Sequence, residues 1–175
     1  MRSAGKFLRE EAASMFHRFT DSARRAVFFA RDQALASHEA LIKPDHLLLG
    51  LVQLHPDLFE ETSHSGDPVR IDRELETRSE PSVASSNPAN LRFSDELKRV
   101  LRYADDEAAG LYKRNTGARA RLLGFLTMNR WIVEPCHLLL GLLRERDCTA
   151  AKTLLKRGVT LQALRERLLQ SACKR

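Results

Sequence analysis

The sequence predicts an all-α protein built from two helical copies of one repeat that pack together. Three observations carry this prediction: apolar residues recur at helical spacing, two short motifs occur twice, and no alternating strand pattern of useful length is present. The chain has 175 residues, 43% of them hydrophobic, so it can bury a core as one domain or two small ones.

The first helix is predicted within residues 20–37. Its apolar residues follow the i, i+3, i+4, i+7 spacing of one helix face: Ala23, Ala26, Val27, Ala30 and Ala34. Thr20 or Asp21 is a natural N-cap, because a short oxygen-bearing side chain can accept a hydrogen bond from the first turn.

The second helix is predicted to begin at Pro44, whose fixed φ suits the first helical position. Its apolar residues cover most of its circumference, so we expect this helix to be buried. They are Leu47, Leu48, Leu49, Leu51 and Val52.

Both helices recur later in the chain. Residues 19–27 are echoed by residues 93–101, an offset of 74 residues from Phe19 to Phe93. Residues 44–51 are echoed by residues 135–142, an offset of 91 residues from Pro44 to Pro135. Because the second offset is larger, the second copy carries an insert between its two motifs. We expect the leucines of both copies, 47–49 and 138–140, to lie in the core.

These landmarks divide the chain. We expect an N-terminal extension (1–14), then one domain (15–172) made of repeat one (15–75), a linker (76–90) and repeat two (91–172), with a basic insert at 112–130. The linker is rich in Ser, Pro and Asn. The insert holds five basic residues and no acidic one, and its Gly and Asn residues favour a loop.

Composition excludes several classes of protein. Three cysteines are too few for a disulfide scaffold, and an odd number cannot all pair within the chain. This cysteine content is typical of a protein in a reducing compartment. The charged N-terminus lacks the apolar stretch of a signal peptide, and no apolar run reaches roughly 18 residues. We therefore expect a cytoplasmic protein with no membrane association.

The paired signatures, Phe-Thr/Ser-Asp at the start of each copy and His-Leu-Leu-Leu-Gly-Leu in its middle, resemble the Clp N-terminal (Clp R) domain. That domain is a double repeat of four helices at the front of Clp/Hsp100 unfoldases, so the resemblance implies two pseudo-symmetric four-helix repeats packed together in this chain. The resemblance implies a protein-binding module of the Clp protein quality-control system that docks a Clp ATPase, an adaptor or a protein substrate. The sequence departs from the family after Val52, where the usual Ala-Ala helix is missing, so repeat one is the degenerate copy.

The unfoldases also carry ATPase modules with a G-x-x-x-x-G-K-[ST] loop, which this sequence lacks. We therefore expect a stand-alone module that is not an enzyme, and we assign it no catalytic residue and no cofactor.

In the family, the surface between the first helices of the two repeats binds partners. By resemblance, that surface includes Phe16, Phe93, Lys98 and Arg102 in this chain. The basic pairs Arg24-Arg25 and Lys98-Arg99 are expected on solvated faces or at such a contact.

Some family members recognise phosphoarginine through two Glu residues, at positions that are Asp45 and Cys136 in this sequence. Asp45 keeps a carboxylate and joins the candidate partner-binding residues, whereas Cys136 does not keep one, which argues against phosphoarginine binding. Each lies in the first turn of a predicted helix, where about half a positive charge favours anions. We therefore expect a stabilised carboxylate at Asp45 and a Cys136 thiol of lowered pKa.

The histidines His46 and His137 occupy equivalent positions, and each is expected to donate a hydrogen bond within the fold. Cys136, His137 and Cys148 lack the spacing of zinc ligands, so no metal site is predicted.

One alternative function remains: a basic helical nucleic-acid-binding or regulatory protein that acts through the 112–130 insert. A salt-dependent gel shift with Lys113, Arg114, Arg119 and Arg121 changed to Ala separates it from protein binding.

Overall fold

The computed structural model describes residues 16–60, 91–115 and 131–172. In these ranges the chain forms α1 (Asp21–Ala36), α2 (Pro44–Leu54), α3 (Asp57–Glu60), α4 (Asp95–Asn115), α5 (Pro135–Arg144), α6 (Thr149–Lys156) and α7 (Leu161–Ala172). Two short strands, β1 (Leu41–Ile42) and β2 (Arg92–Phe93), complete the described structure. The prediction of an all-α fold is confirmed.

The first two helices begin where the sequence predicts. Thr20 caps α1, and its Oγ1 accepts a hydrogen bond from the backbone N–H of Ala23 at 3.1 Å. The five predicted apolar residues of α1 are all buried. Pro44 is the first residue of α2, and the predicted apolar residues Leu47, Leu48, Leu49, Leu51 and Val52 are all buried.

The second repeat contains four described helices, α4 to α7, and the first repeat contains three, α1 to α3. The described part of the first repeat ends with α3 at Glu60, and residues 61–75 lie outside the described residues. The loss of the family's Ala-Ala stretch after Val52 stays a prediction from the sequence.

The two repeats exchange short backbone pairings, which the sequence did not predict. In β1 and β2, Leu41 pairs with Arg92 and Ile42 with Phe93, in parallel. The segments before α1 and α5 form a second parallel bridge, Phe19 with Val133. Each pairing joins the start of the first helix in one repeat to the start of the second helix in the other.

The hydrogen bonds obey the same symmetry. The backbone N–H of Thr20 donates to the carbonyl oxygen of Val133 at 3.0 Å, and that of Ser94 donates to the carbonyl oxygen of Ile42 at 2.9 Å. Thr20 and Ser94 are equivalent N-terminal residues of the repeat motif, and Ile42 and Val133 each lie two residues before a helix-starting proline. The repeats are therefore held together by a reciprocal pair of main-chain contacts.

A single core runs through both repeats. The buried cluster contains the leucines of α2 and those of α5 together with α1, α4 and α6 residues. All six leucines of the 47–49 and 138–140 clusters are buried, as predicted. Packing two thin layers of helix against each other lets both bury their apolar faces.

Some predicted boundaries fall elsewhere. The extension 1–14, the linker 76–90 and most of the insert, from 116 to 130, lie outside the described residues. The first part of the insert is not a loop, because Tyr112, Lys113 and Arg114 continue α4 to its end at Asn115. Among the described helices, none combines the length and the apolar character needed to cross a membrane.

Candidate functional site

An aromatic pair lies where the two repeats meet. The ring of Phe16, before α1, is 6.2 Å from the ring of Phe93 in β2, centroid to centroid, in an edge-on arrangement. Phe16 also packs edge-on against Phe19, with centroids 5.1 Å apart. Phe19 is buried, whereas Phe16 and Phe93 are only partly buried and cover the core. We call Phe16, Phe93 and the flanking faces of α1 and α4 the seam.

Equivalent ion pairs lie at the start of both first helices. In α1, Arg24 Nη1 is 3.0 Å from Asp21 Oδ1, and in α4, Lys98 Nζ is 2.7 Å from Asp95 Oδ1. Arg24 also reaches the seam, because its Nε donates to the carbonyl oxygen of Phe16 at 3.2 Å. Lys98 therefore occupies the position on α4 that Arg24 occupies on α1. Each of the two cations is paired with the carboxylate three residues before it.

One helical turn beyond Lys98, Arg102 is exposed and makes no hydrogen bond or ion pair with any described residue. The equivalent position in α1 is Phe28, whose side chain is 62% exposed, the largest exposed fraction of any large apolar residue described. The sequence analysis did not single out Phe28 as a candidate surface residue. The 74-residue offset between the two copies of the motif relates Phe28 to Arg102, and it could have identified this position.

Asp45 does not behave as the sequence predicts. One of its carboxylate oxygens, Oδ1, is buried and has no hydrogen-bond partner among the described residues. Its carboxylate accepts a hydrogen bond from the backbone of Ala150 in α6, yet burial outweighs this and raises its pKa to about 6. The expectation of a stabilised carboxylate was wrong, because loss of hydration costs a buried charge more than the helix N-terminus returns.

Cys136 shows the same effect. The expected lowering of its thiol pKa was wrong: burial raises the pKa to about 12, and the nearby Glu134 carboxylate adds to the increase. Its Sγ lies 3.7 Å from Glu134 Oε2 and 3.9 Å from His137 Nδ1. A thiol that holds its proton this tightly is a poor nucleophile.

The two histidines play equivalent structural roles, and each accepts a hydrogen bond through Nδ1. The Nδ1 atom of His46 accepts the backbone N–H of Lys43 at 3.0 Å, and Nδ1 of His137 accepts that of Glu134 at 3.0 Å. Each ring thereby satisfies a donor just before its helix. Burial lowers the pKa of both histidines.

Glu134, Cys136 and His137 bring three possible metal-ligand atoms within 4.8 Å of one another. We assign no metal to this group. The Nδ1 lone pair of His137 is already used by the backbone N–H of Glu134, and the fold repeats that contact at His46, where no thiol is present. The arrangement is explained by the capping of two equivalent helices.

Two carboxylates buried in repeat two bind arginines. Glu145 accepts hydrogen bonds from Arg99 Nε at 3.0 Å and Nη2 at 2.9 Å. Glu107 accepts from Arg165 Nε at 2.8 Å and pairs with Arg144 Nη1 at 3.5 Å. The Arg99 side chain is 40% exposed although it is paired with Glu145, and its equivalent Arg25 is exposed. Arg99 therefore fastens α4 to the end of α5 and does not belong to the seam.

The sequence and the fold were compared with known proteins. The profile of the Clp repeat (R) N-terminal domain matches residues 18–132. The chain is 28% identical over 158 residues to the chaperone protein ClpB of Oceanobacillus iheyensis, which is 89% of this chain and 17% of that protein. It is 28% identical over 159 residues to the negative regulator of genetic competence ClpC/MecB of Bacillus subtilis, again 89% of this chain and 17% of that protein.

A solved structure agrees with these matches. The N-terminal domain of the caseinolytic protease associated chaperone ClpD from Arabidopsis thaliana superposes with a TM-score of 0.55 at 25% identity. The match covers 91% of this chain and 97% of that one. The chain thus corresponds to nearly the whole of that solved domain, while it spans about a sixth of the length of the curated relatives it matches.

Proposed function

The chain belongs to the Clp repeat (R) N-terminal domain family, and from this membership we propose that its 175 residues act as a non-enzymatic protein-binding module of Clp-dependent quality control. The partner is a Clp ATPase, an adaptor or a protein substrate. These residues contain no phosphate-binding loop, so we attribute no ATP hydrolysis to them.

We place the docking surface at the seam. The observation that carries this choice is the Phe16–Phe93 pair, two partly exposed rings at the junction of the repeats with basic residues beside them. Aromatic anchors surrounded by a polar rim are typical of protein-recognition surfaces. Asp45 lies near the same junction, since it interacts electrostatically with Glu96 at the start of α4.

The exposed cations of the first helix in each repeat favour an acidic partner segment. Lys98 is neutralised in part by Asp95, but Arg25 and Arg102 are exposed and have no carboxylate partner among the described residues. Of the two positions linked by family resemblance to phosphoarginine, Asp45 has one buried oxygen and Cys136 is neutral. The proposed recognition therefore depends on the aromatic pair and its cations.

Site-specific photo-crosslinking tests this proposal. A photoreactive phenylalanine analogue at position 93 is expected to capture a Clp ATPase, an adaptor or client polypeptides in native lysate, identified by mass spectrometry. Adding Lys98→Glu and Arg102→Glu should reduce the adduct by roughly tenfold, the change that about 1.4 kcal/mol of lost binding free energy produces.

The control is the same analogue at position 152, since Lys152 is an exposed residue of α6. Adducts at position 152 should be sparse and insensitive to the two Glu substitutions. If positions 93 and 152 yield the same adducts, or if the substitutions leave the position-93 adducts unchanged, the seam is not the docking surface.

A further inference from the structure

The two repeats are related by an approximate two-fold axis. Phe19 of repeat one pairs with Val133 of repeat two. Their equivalents in the other repeat, Phe93 and Ile42, pair with each other in the same parallel way. A contact that recurs with the two partners exchanged is the property of a two-fold arrangement. Equivalent residues of α1 and α4 therefore lie at equivalent places on opposite sides of the seam.

The outward faces of α1 and α4 begin alike and then differ. Arg24 in α1 and Lys98 in α4 are equivalent, and each is paired with the aspartate three residues before it. One helical turn further along the same face, Phe28 follows Arg24 in α1, and Arg102 follows Lys98 in α4. The first helix thus offers an aromatic ring at the place where its counterpart offers a guanidinium.

Phe28 is turned away from the core. It is 62% exposed, whereas the next residue, Phe29, faces α2, because a Cβ built on Gly50 would lie 3.4 Å from its ring. A single exposed apolar side chain is common on protein surfaces and indicates nothing by itself. Phe28 differs because it lies one turn beyond Arg24, whose Nε donates to the carbonyl oxygen of Phe16. It therefore extends the aromatic surface of the seam along α1.

Cations lie on both sides of the seam. Arg25, three residues before Phe28, is exposed and has no partner among the described residues, and the same is true of Arg102. Asp106, which follows Arg102 on α4, is paired with Arg144 of α5. A carboxylate of a partner therefore finds a cation on either side. Of the two equivalent positions, however, only that of Phe28 offers an apolar side chain a ring to bury against.

We propose that the seam takes an acidic segment of a partner protein in one orientation, with an apolar side chain of the segment on Phe28 and its carboxylates on Lys98 and Arg102. A seam with two equal sides would bind such a segment equally well in either direction, because the two-fold axis exchanges the sides. The unlike residues Phe28 and Arg102 remove this equality. The inference rests on the seam being the docking surface, and it adds the chemistry and the orientation of the segment that docks there.

Two fluorescein-labelled peptides test the chemistry by fluorescence anisotropy with the full chain. One carries a phenylalanine at its N-terminal end and several glutamates at its C-terminal end, joined by a flexible Gly-Ser spacer, and the other has serine in place of the phenylalanine. The native chain should bind the phenylalanine peptide about tenfold more tightly, as expected for an aromatic anchor.

Phe28→Ser should abolish the difference between the two peptides. Leu155→Ser is the matched control, because it changes an exposed apolar residue of α6, and it should leave the difference unchanged. Equal affinities of the native chain for the two peptides, no binding of either, or a difference that survives Phe28→Ser would each overturn the proposal.

The orientation is tested by exchanging the two unlike residues. The double variant Phe28→Arg, Arg102→Phe keeps the composition and the net charge of the chain but moves the ring to the other side of the seam. A benzophenone at the N-terminal end of the phenylalanine peptide should crosslink mainly to α1 in the native chain and mainly to α4 in the exchanged variant, as mapped by mass spectrometry. Adducts shared equally between α1 and α4 in the native chain, or adducts that stay on α1 after the exchange, would contradict a fixed orientation.

Failure of this inference is distinguishable from failure of the proposed function. If position 93 captures Clp proteins or clients in lysate while Phe28→Ser changes nothing, the docking surface stands and the role of Phe28 is refuted. If the peptides behave as expected while position 93 captures no quality-control protein, the oriented site stands and its assignment to Clp-dependent quality control is refuted.

Discussion

At the residue scale, the first turns of α2 and α5 show burial competing with the helix N-terminus. Both Asp45 and Cys136 occupy the second helical position, where the partial positive charge favours an anion. Burial nevertheless raises the pKa of both groups, to about 6 and about 12. A sequence shows that a residue starts a helix but not how much water reaches it. The partial charge at the helix N-terminus, taken alone, therefore predicts a lowered pKa where the pKa is raised.

Cys136 should resist alkylation while the protein is folded. A thiol pKa of about 12 in place of 9.0 leaves about a thousandfold less thiolate near pH 8, and the buried sulfur is also hard to reach. Iodoacetamide labelling with peptide mass spectrometry should therefore give a rate at Cys136 that is slow in buffer and rises at least a hundredfold, roughly, in urea. Similar rates in buffer and in urea would mean that the folded chain does not suppress the thiolate.

At the element scale, one glycine in each repeat lets two helices approach closely. A Cβ built on Gly141 of α5 would lie 2.5 Å from the carbonyl oxygen of Val100 in α4, and one on Gly50 of α2 would lie 2.8 Å from that of Ala26 in α1. Gly50 and Gly141 are equivalent, as are Ala26 and Val100. The Gly of the repeated His-Leu-Leu-Leu-Gly-Leu motif is therefore a helix-packing residue.

Gly141→Ala should destabilise the protein by about 1–3 kcal/mol, because the obstructing atom is backbone and the helices must separate. Gly110→Ala in α4 is the control, since its Cβ would meet nothing within 4 Å and Ala is the better helix former. Urea unfolding should show opposite signs for the two variants. A Gly141→Ala protein as stable as the native one would mean that the α4–α5 contact has room to relax.

At the scale of the whole molecule, the reciprocal pairings and the shared core predict that both repeats unfold together. Trp131, the only tryptophan, belongs to repeat two: its Nε1 donates to Asp105 Oδ1 at 2.7 Å, and the centroid of its ring lies 4.2 Å from the Arg18 guanidinium of repeat one. Gly50→Ala alters repeat one. In this variant, the urea transitions followed by tryptophan fluorescence and by far-ultraviolet circular dichroism should move to lower urea by the same amount. Different midpoints for the two signals would show that the repeats unfold separately.

The sequence by itself determined the helical class, the starts of α1 and α2, the buried leucines and the duplication, because spacing, capping and motif recurrence are local properties of the chain. The assignment of Phe16 and Phe93 to the candidate seam came from the family resemblance and stays a prediction. Only the tertiary structure decided that Ile42 pairs with Phe93, that Arg99 binds Glu145, and that one carboxylate oxygen of Asp45 is buried. Each of these joins residues far apart in the chain, and burial and charge pairing arise only when such segments come together.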